Sequence, residues 1–263
     1  MKLNMGNPIK QYGTAWAGTS NIVLPGTKKT FPEAFQSVSR LTYYASLFNS
    51  VEINSSFYKV PRPATFEKWS DEVPGHFQFT VKLWREITHA KALAFDPGNI
   101  DIFMKAANKV SNNKKGCLLI QFPASITIDY SKKVAAILQK IQQEDAQHPW
   151  RKCVEFRHSS WYTANAYTML DKYNASLVLQ DMPASKISSL RTKANFVYLR
   201  FHGVKGNYKG TYNNHILQEY AAKIINWLQK GKNVYSYFNN TIGNAYENAR
   251  ALNKLVKEGC NIK

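Results

Sequence analysis

Cysteine is scarce in this sequence, and long apolar runs are absent. Cys117, Cys153 and Cys260 stand far apart without C-x-x-C spacing, so neither a disulfide framework nor a zinc site is predicted. No apolar run is long enough to cross a bilayer, and residues 1–8 have no apolar segment of a secretory signal. These absences argue against a membrane protein and a disulfide-stabilised secreted domain, and they predict a cytoplasmic location.

Acidic residues are also few, since 17 Asp and Glu face 35 Lys and Arg for a formal net charge of +18. Such an excess favours anionic partners, either small phosphorylated molecules or nucleic acid. The lysines are scattered in pairs such as Lys28-Lys29 and Lys132-Lys133, and they form no long tract. This distribution is more typical of a solvated basic exterior, so nucleic acid remains the less favoured partner.

The 263 residues present eight strand-like segments, most of them followed by a helical pattern. Such alternation, without a linker or a break in composition, predicts one α/β domain over residues 1–263. A TIM-type (β/α)8 barrel with parallel strands and outer helices needs about 250 residues, which this length supplies. The predicted strands are residues 9–14, 50–54, 77–82, 116–122, 152–158, 176–181, 196–202 and 233–239.

Four of these strands alternate apolar and polar residues, and each polar face ends in charged or imidazole groups. Side chains of a strand point to opposite faces in turn, so residues two apart share a face. Because helices cover the apolar faces, the polar faces are predicted to line the barrel interior near its carboxyl-end mouth, where barrel enzymes hold their sites. The pairs are Glu52 with Asn54, Thr80 with Lys82, Glu155 with Arg157, and Arg200 with His202.

Several ordered motifs make the chain resemble the YecE-like family, long catalogued as a domain of unknown function. They include Gly13-Thr14 with Trp16, residues 51–58 (VEINSSFY), Ile87-Thr88-His89, Gln121-Phe122-Pro123, residues 155–158 (EFRH) with Ser160-Trp161, residues 198–203 (YLRFHG), and residues 237–240 (YFNN) before Gly243-Asn244-Ala245. The resemblance implies a TIM-type barrel, loosely akin to the xylose isomerase and endonuclease IV barrels. It implies no established reaction.

The converging polar groups predict proton-transfer chemistry. Glu155 or His202 is the expected acid or base, because a carboxylate and a near-neutral imidazole can both carry protons. Neighbouring strands are expected to bring Lys82 within ion-pair reach of Glu52, where the lysine serves as a proton-transfer or Schiff-base group or closes a structural polar layer. Arg157 and Arg200 are the expected anion holders.

Further residues of these strand ends and loops are predicted to contact substrate. No cofactor is predicted, although a divalent manganese, magnesium or zinc ion at Glu52, Glu155, Asp181 and His202 is an alternative. His89 and Gln121 enter through the family motifs. The full set of predicted substrate-binding residues is Arg157, His158, Arg200, Asn54, Tyr58, His89, Gln121, Trp161, Asp181, Asn239 and Asn240.

The sequence therefore favours an enzyme that acts on a small anionic, phosphorylated or polyhydroxylated molecule. An isomerase, a lyase and a hydrolase all fit. Two alternatives stay open: a nucleic-acid-binding or nuclease-like barrel, and a non-catalytic ligand-binding barrel whose polar layer serves folding.

Overall fold

A computed structural model describes residues 12–147 and 149–260, and in these ranges eight strands form one parallel sheet. The alternating segments of the sequence fold as predicted because each strand is followed by a connection long enough to return the chain to the same end. The strands are β1 (Ala15–Thr19), β2 (Ser50–Ile53), β3 (Gln78–Lys82), β4 (Lys115–Phe122), β5 (Arg151–Phe156), β6 (Ser176–Gln180), β7 (Phe196–Phe201) and β8 (Asn233–Phe238).

Helices surround the sheet and occupy most of the connections. The longest lie after β4, β7 and β8, and no helix within the described ranges has the length and apolar character needed to cross a membrane. The helices are α1 (Glu33–Gln36), α2 (Arg40–Leu47), α3 (Ser55–Tyr58), α4 (Pro63–Asp71), α5 (Arg85–Thr88), α6 (Pro97–Ala107), α7 (Ser131–Glu144), α8 (Ala164–Lys172), α9 (Asn214–Gln229) and α10 (Ala245–Gly259).

The sheet curls into a nearly closed barrel. Its hydrogen-bonded order runs β1-β8-β7-β6-β5-β4-β3-β2, which leaves β1 and β2 as the two strands that meet at the seam. There the Asn21 N–H donates to the Glu52 carbonyl over 2.7 Å, and Ser20 pairs with Glu52 in a single parallel bridge. The predicted TIM-type barrel is confirmed.

The first strand lies later in the chain than predicted. It runs over Ala15–Thr19 instead of residues 9–14, of which residues 9–11 lie outside the described part. This strand consists largely of small residues, which do not alternate between apolar and polar. One of them, Gly18, is required at the seam. A Cβ on Gly18 would lie 2.1 Å from the Ser50 carbonyl oxygen, so only glycine lets β1 approach β2 this closely.

The two faces of the sheet have opposite chemistry. The outer faces of the strands are apolar and pack against the helices in the main hydrophobic core. The inner face carries tyrosines that end in hydrogen bonds: Tyr235 OH donates to Gln78 Oε1 over 2.6 Å, and Thr80 Oγ1 donates to Tyr237 OH over 2.9 Å. Such pairing compensates the loss of hydration of buried polar groups, and charged groups follow at the carboxyl ends of the strands.

Candidate functional site

Arg200 is the centre of the buried charge at the carboxyl end of the barrel. Its Nη2 donates to Glu52 Oε1 over 2.7 Å and its Nη1 to Glu155 Oε2 over 2.8 Å, with all three side chains almost fully buried. Burial opposes the charged guanidinium, yet the two carboxylates keep the pKa of Arg200 well above its ordinary value. Because both ends of the fork are occupied by protein carboxylates, Arg200 organises the barrel interior instead of facing an incoming anion.

Glu52 is held by more partners than the arginine alone. Ser20 Oγ donates to its Oε1 and Tyr198 OH to its Oε2, each over 2.5 Å. Burial disfavours the carboxylate, but Arg200 and these hydroxyls hold the pKa of Glu52 below its ordinary value. Neither hydroxyl was predicted from the sequence to bind Glu52. Tyr198 shares a strand face with Arg200 and was recognisable by spacing, whereas Ser20 follows the misplaced first strand.

The expected ion pair between Glu52 and Lys82 is not formed. In the register of β2 with β3, Glu52 lies opposite Thr80, so Lys82 stands two residues nearer the mouth. There the Lys82 Nζ donates to Gln121 Oε1 over 2.9 Å and lies 4.0 Å from the ring centre of Phe57. Burial, aided by the positive charge of Arg200, lowers the pKa of Lys82 to about 8.

Arg157 joins the buried charges to the mouth. Its Nε forms a short ion pair with Glu155 Oε1, and its Nη2 lies 3.1 Å from His202 Nε2. Burial works against the Glu155 carboxylate, but Arg157 and Arg200 hold the pKa of Glu155 far below its ordinary range. The side chain of Arg157 retains some exposure, and it is therefore the guanidinium that can meet a ligand.

His202 is fixed by an acidic partner on its other side. Its Nδ1 lies 3.2 Å from Asp181 Oδ1, which also accepts the His202 backbone N–H over 2.8 Å. Since Arg157 is always a donor, Nε2 must accept and Nδ1 must carry the proton. Burial lowers the pKa of His202 despite the hydrogen bond to Asp181, so the ring is neutral at physiological pH.

Tyr212 also binds Asp181, the acidic partner of His202, and it was not predicted from the sequence. Its hydroxyl donates a short hydrogen bond to Asp181 Oδ2 and accepts the Gly203 N–H over 2.7 Å. Burial and the neighbouring Asp181 carboxylate raise the pKa of Tyr212, which stays a donor. The loop between β7 and α9 is thereby joined to the loop after β6.

Two predicted residues after β2 and β3 pack against Phe57, the aromatic neighbour of Lys82. The ring of His89 packs edge-on against Phe57 with centroids 4.8 Å apart, and burial near Lys82 and Arg85 lowers the pKa of His89 to about 4. Tyr58 also packs edge-on against Phe57, with centroids 5.1 Å apart, but it is 68% exposed on the surface of α3. His89 therefore belongs to the wall beside Lys82, whereas Tyr58 lies on the outer surface.

The remaining predicted contacts have mainly local roles. Trp161 is fully buried, stacks on Phe156 at 4.0 Å and donates its indole N–H to the Ile126 carbonyl over 2.7 Å, which places it in the outer hydrophobic core. His158 Nδ1 accepts the Ser160 N–H over 3.2 Å and caps a short turn. Within the described residues, neither side chain forms a hydrogen bond or an ion pair with the buried charges.

Of the three predicted asparagines, Asn240 binds neighbouring loops through its side chain, whereas Asn239 and Asn54 donate through their main-chain N–H groups. The Oδ1 atoms of Asn54 and Asn240 are buried without a hydrogen-bond partner among the described residues. Asn240 Nδ2 donates to the Gly210 carbonyl over 2.9 Å and to Asn248 Oδ1 over 3.0 Å, which ties the β7 and β8 loops to α10. The Asn239 N–H donates to the Phe201 carbonyl over 2.7 Å, and the Asn54 N–H to Asn21 Oδ1 over 3.1 Å. The loops after β7 and β8 are thus closed on each other.

The alternative metal ligands are engaged by other groups. Glu52 and Glu155 both give oxygens to Arg200, and Asp181 accepts from His202 and Tyr212. Across the described residues, no group of three or more His, Cys, Asp or Glu side chains is placed to hold an ion. A metal at these four residues would have to displace a buried guanidinium, so the arrangement seen here does not fit one.

Residues 16–262 match the family profile described as "Protein of unknown function DUF72". UPF0759 protein YunF of Bacillus subtilis (strain 168) is 27% identical over 256 residues, which cover 86% of this chain and 89% of that protein. A solved DUF72 family protein from Enterococcus faecalis V583 has a TM-score of 0.73 at 19% identity, with 96% of this chain and 100% of that chain covered. A DUF72 family protein from Thermotoga maritima MSB8 has a TM-score of 0.70 at 24% identity, with 93% and 99% covered.

These two structures share the barrel fold. The family profile covers nearly the whole sequence, and it confirms the part of the resemblance that concerns a domain family of unknown function. The chain belongs to the DUF72 family of proteins of unknown function.

Proposed function

We propose that the protein is an enzyme that moves protons on a small anionic molecule, phosphorylated or polyhydroxylated, at the carboxyl-end mouth of the barrel. The observation that supports this most is the Lys82 amine. It is 9% exposed, its only hydrogen-bond partner among the described residues is Gln121, and its pKa is lowered to about 8. An amine that loses its proton near neutral pH is suited to general base catalysis.

Arg157 supplies the anion contact in this proposal. It is the guanidinium with remaining exposure, while Arg200 is closed off by two carboxylates. The Nη1 group and the second N–H of Nη2 are the donors that a phosphate or carboxylate would use, since the other Nη2 N–H is directed to His202 Nε2. An anion bound there would lie beside the imidazole.

His202 is the second proton carrier, held in one tautomer by Asp181. The sequence left Glu155 and His202 as equal candidates, and the contacts of the two side chains support the imidazole. Both side chains are fully buried, but Glu155 is bound to two arginines and has a pKa too far lowered to take up a proton readily. In this scheme Glu52 and Glu155 keep Arg200 in place and set the field around the lysine.

Solvent exchange tests the proposal without knowledge of the product. The protein is incubated in D2O with a panel of sugar phosphates and hydroxy acids, and carbon-bound deuterium is followed by NMR. We expect exchange into at least one compound, with a rate that rises with pH through about 8 as Lys82 loses its proton. Lys82→Met and His202→Asn should each lower the rate at least a hundredfold.

Lys68→Met is the matched control, because Lys68 is 74% exposed on α4 and pairs only with Glu72. It should exchange like the unmodified protein. Full exchange in Lys82→Met, or a rate that does not change between pH 6 and 9, would contradict the role of the amine. Absence of exchange from every compound of the panel would count against proton transfer on this class of molecule.

A further inference from the structure

A basic cavity lies at the opposite end of the barrel from the proposed catalytic site. It has a volume of about 370 Å³ and is bounded by residues that precede or begin β4, β5, β6 and β7. This volume is within the range of small-molecule sites. Its polar lining consists of Lys115, Arg151, Lys152 and the asparagines Asn112, Asn174 and Asn195.

Lys152 is the unusual member of this lining. Lys152 is only 7% exposed. Among the described residues, its ammonium group has neither a hydrogen bond nor an ion pair. Burial lowers the pKa of Lys152, and Asp145 offsets this only in part. A buried cation is expected to have a partner, because an unpaired one is costly. The cavity is the space into which that partner would fit.

The described residues that line the cavity include three cations and no carboxylate. Arg151 Nη1 donates to the Lys115 carbonyl over 3.5 Å, and its guanidinium also lies over the ring of Tyr235. Asp145 is the nearby carboxylate, but it lies 3.8 Å from the Lys115 ammonium and accepts the Trp150 N–H over 2.5 Å. Among the described residues, the Asp145 carboxylate therefore forms an ion pair with Lys115 and none with Arg151 or Lys152.

We infer that this cavity binds a multivalent oxyanion, the phosphate group of a small phosphorylated molecule, with Lys152 and Arg151 as its charged contacts. The amide groups of the three asparagines would donate to the remaining oxygens. Its volume of about 370 Å³ is that of a site for a small molecule. This site is independent of the proposed catalytic chemistry, because it lies at the amino ends of the strands while Lys82 and His202 lie at or beyond the carboxyl ends.

Calorimetric titration with inorganic phosphate and with pyrophosphate tests the assignment. We expect binding to the unmodified protein, a loss of affinity of at least tenfold in Lys152→Met and in Arg151→Met, and no change in Lys254→Met. Lys254 is 76% exposed on α10 and serves as the matched control. Affinity that survives in Lys152→Met but is lost in Arg157→Met would put the anion at the mouth and overturn the inference. Binding unchanged in both, or absent altogether, would overturn it as well.

A residue-level readout separates this site from the mouth. Acetylation of the folded protein followed by peptide mass spectrometry reports the accessibility of each lysine. Pyrophosphate should slow acetylation of Lys152 at least fivefold and leave Lys254 unchanged. Equal slowing of both lysines would indicate a general salt effect and contradict a built site.

Discussion

At the scale of single residues, the barrel interior is governed by charge balance. Glu52 and Glu155 face Arg157 and Arg200 in a buried set with two charges of each sign. Bringing such a set out of water is costly, and each member is tolerated because its neighbours compensate it. Removal of one charge should therefore lower the free energy of unfolding by far more than the whole set contributes to it.

Glu155→Gln should lower the free energy of unfolding by about 3–5 kcal/mol, because two buried guanidinium groups lose a shared carboxylate. Urea unfolding at pH 7 measures this loss. Glu247→Gln removes an exposed acid of α10 and should change stability by less than about 0.5 kcal/mol. Equal unfolding midpoints for the two variants would contradict the structural importance of this carboxylate.

Acid should weaken the fold for the same reason. Burial opposes the charged forms, but the arginines lower the pKa of both Glu52 and Glu155 in the folded state. A depressed folded pKa contributes stability above the unfolded value of about 4.3, and this contribution is lost as the pH falls below it.

At the scale of elements, the seam between β1 and β2 depends on close backbone contact. Gly18 lies against the Ser50 carbonyl, and the next two residues bring Ser20 to the carboxylate of Glu52. Contacts at the seam therefore close the barrel and also position Glu52 in the candidate site.

Gly18→Ala should destabilise the protein by about 1–3 kcal/mol, because the new Cβ forces β1 away from β2. Thermal unfolding measures the change. Gly75→Ala is the control, since a Cβ there meets its nearest neighbour, Asn113 Nδ2, at an ordinary 3.7 Å. Similar melting temperatures for both variants would argue against a tight seam.

The sequence predicted the later strands because their residues carry opposite chemistry on alternate positions, as in Glu155-Phe156-Arg157. It missed β1 because Ala-Trp-Ala-Gly-Thr has little such contrast, and the requirement for Gly18 comes from a strand distant along the chain. The convergence of Glu52, Glu155 and Arg200 followed from strand alternation. Which acid pairs with which base depends on strand stagger, and this set Lys82 beside Gln121 instead of Glu52.

At the scale of the whole molecule, the net charge of +18 is spread over the chain. Nucleic-acid binding stays a prediction of lower rank, because the basic residues form no tract. Such a protein should associate with DNA through phosphates alone, and this association should be strongly salt-dependent.

Fluorescence anisotropy with short duplex DNA and RNA should show binding at about 50 mM salt that is lost by about 200 mM, whatever the sequence. Binding that persists at the higher salt and weakens in Arg157→Met would instead favour a nucleic-acid enzyme working at the mouth. The two outcomes separate a basic exterior from a dedicated interface.

The Tyr212 hydroxyl joins the two ends of the segment from Gly203 to Tyr212, because it accepts the Gly203 N–H. The same hydroxyl donates to the Asp181 carboxylate. The residues between these two points are held as well, because the Tyr208 N–H donates to the His202 carbonyl over 2.7 Å and the Gly210 carbonyl accepts from Asn240. A change in the length of this segment should therefore disturb the alignment of the His202 ring with Asp181.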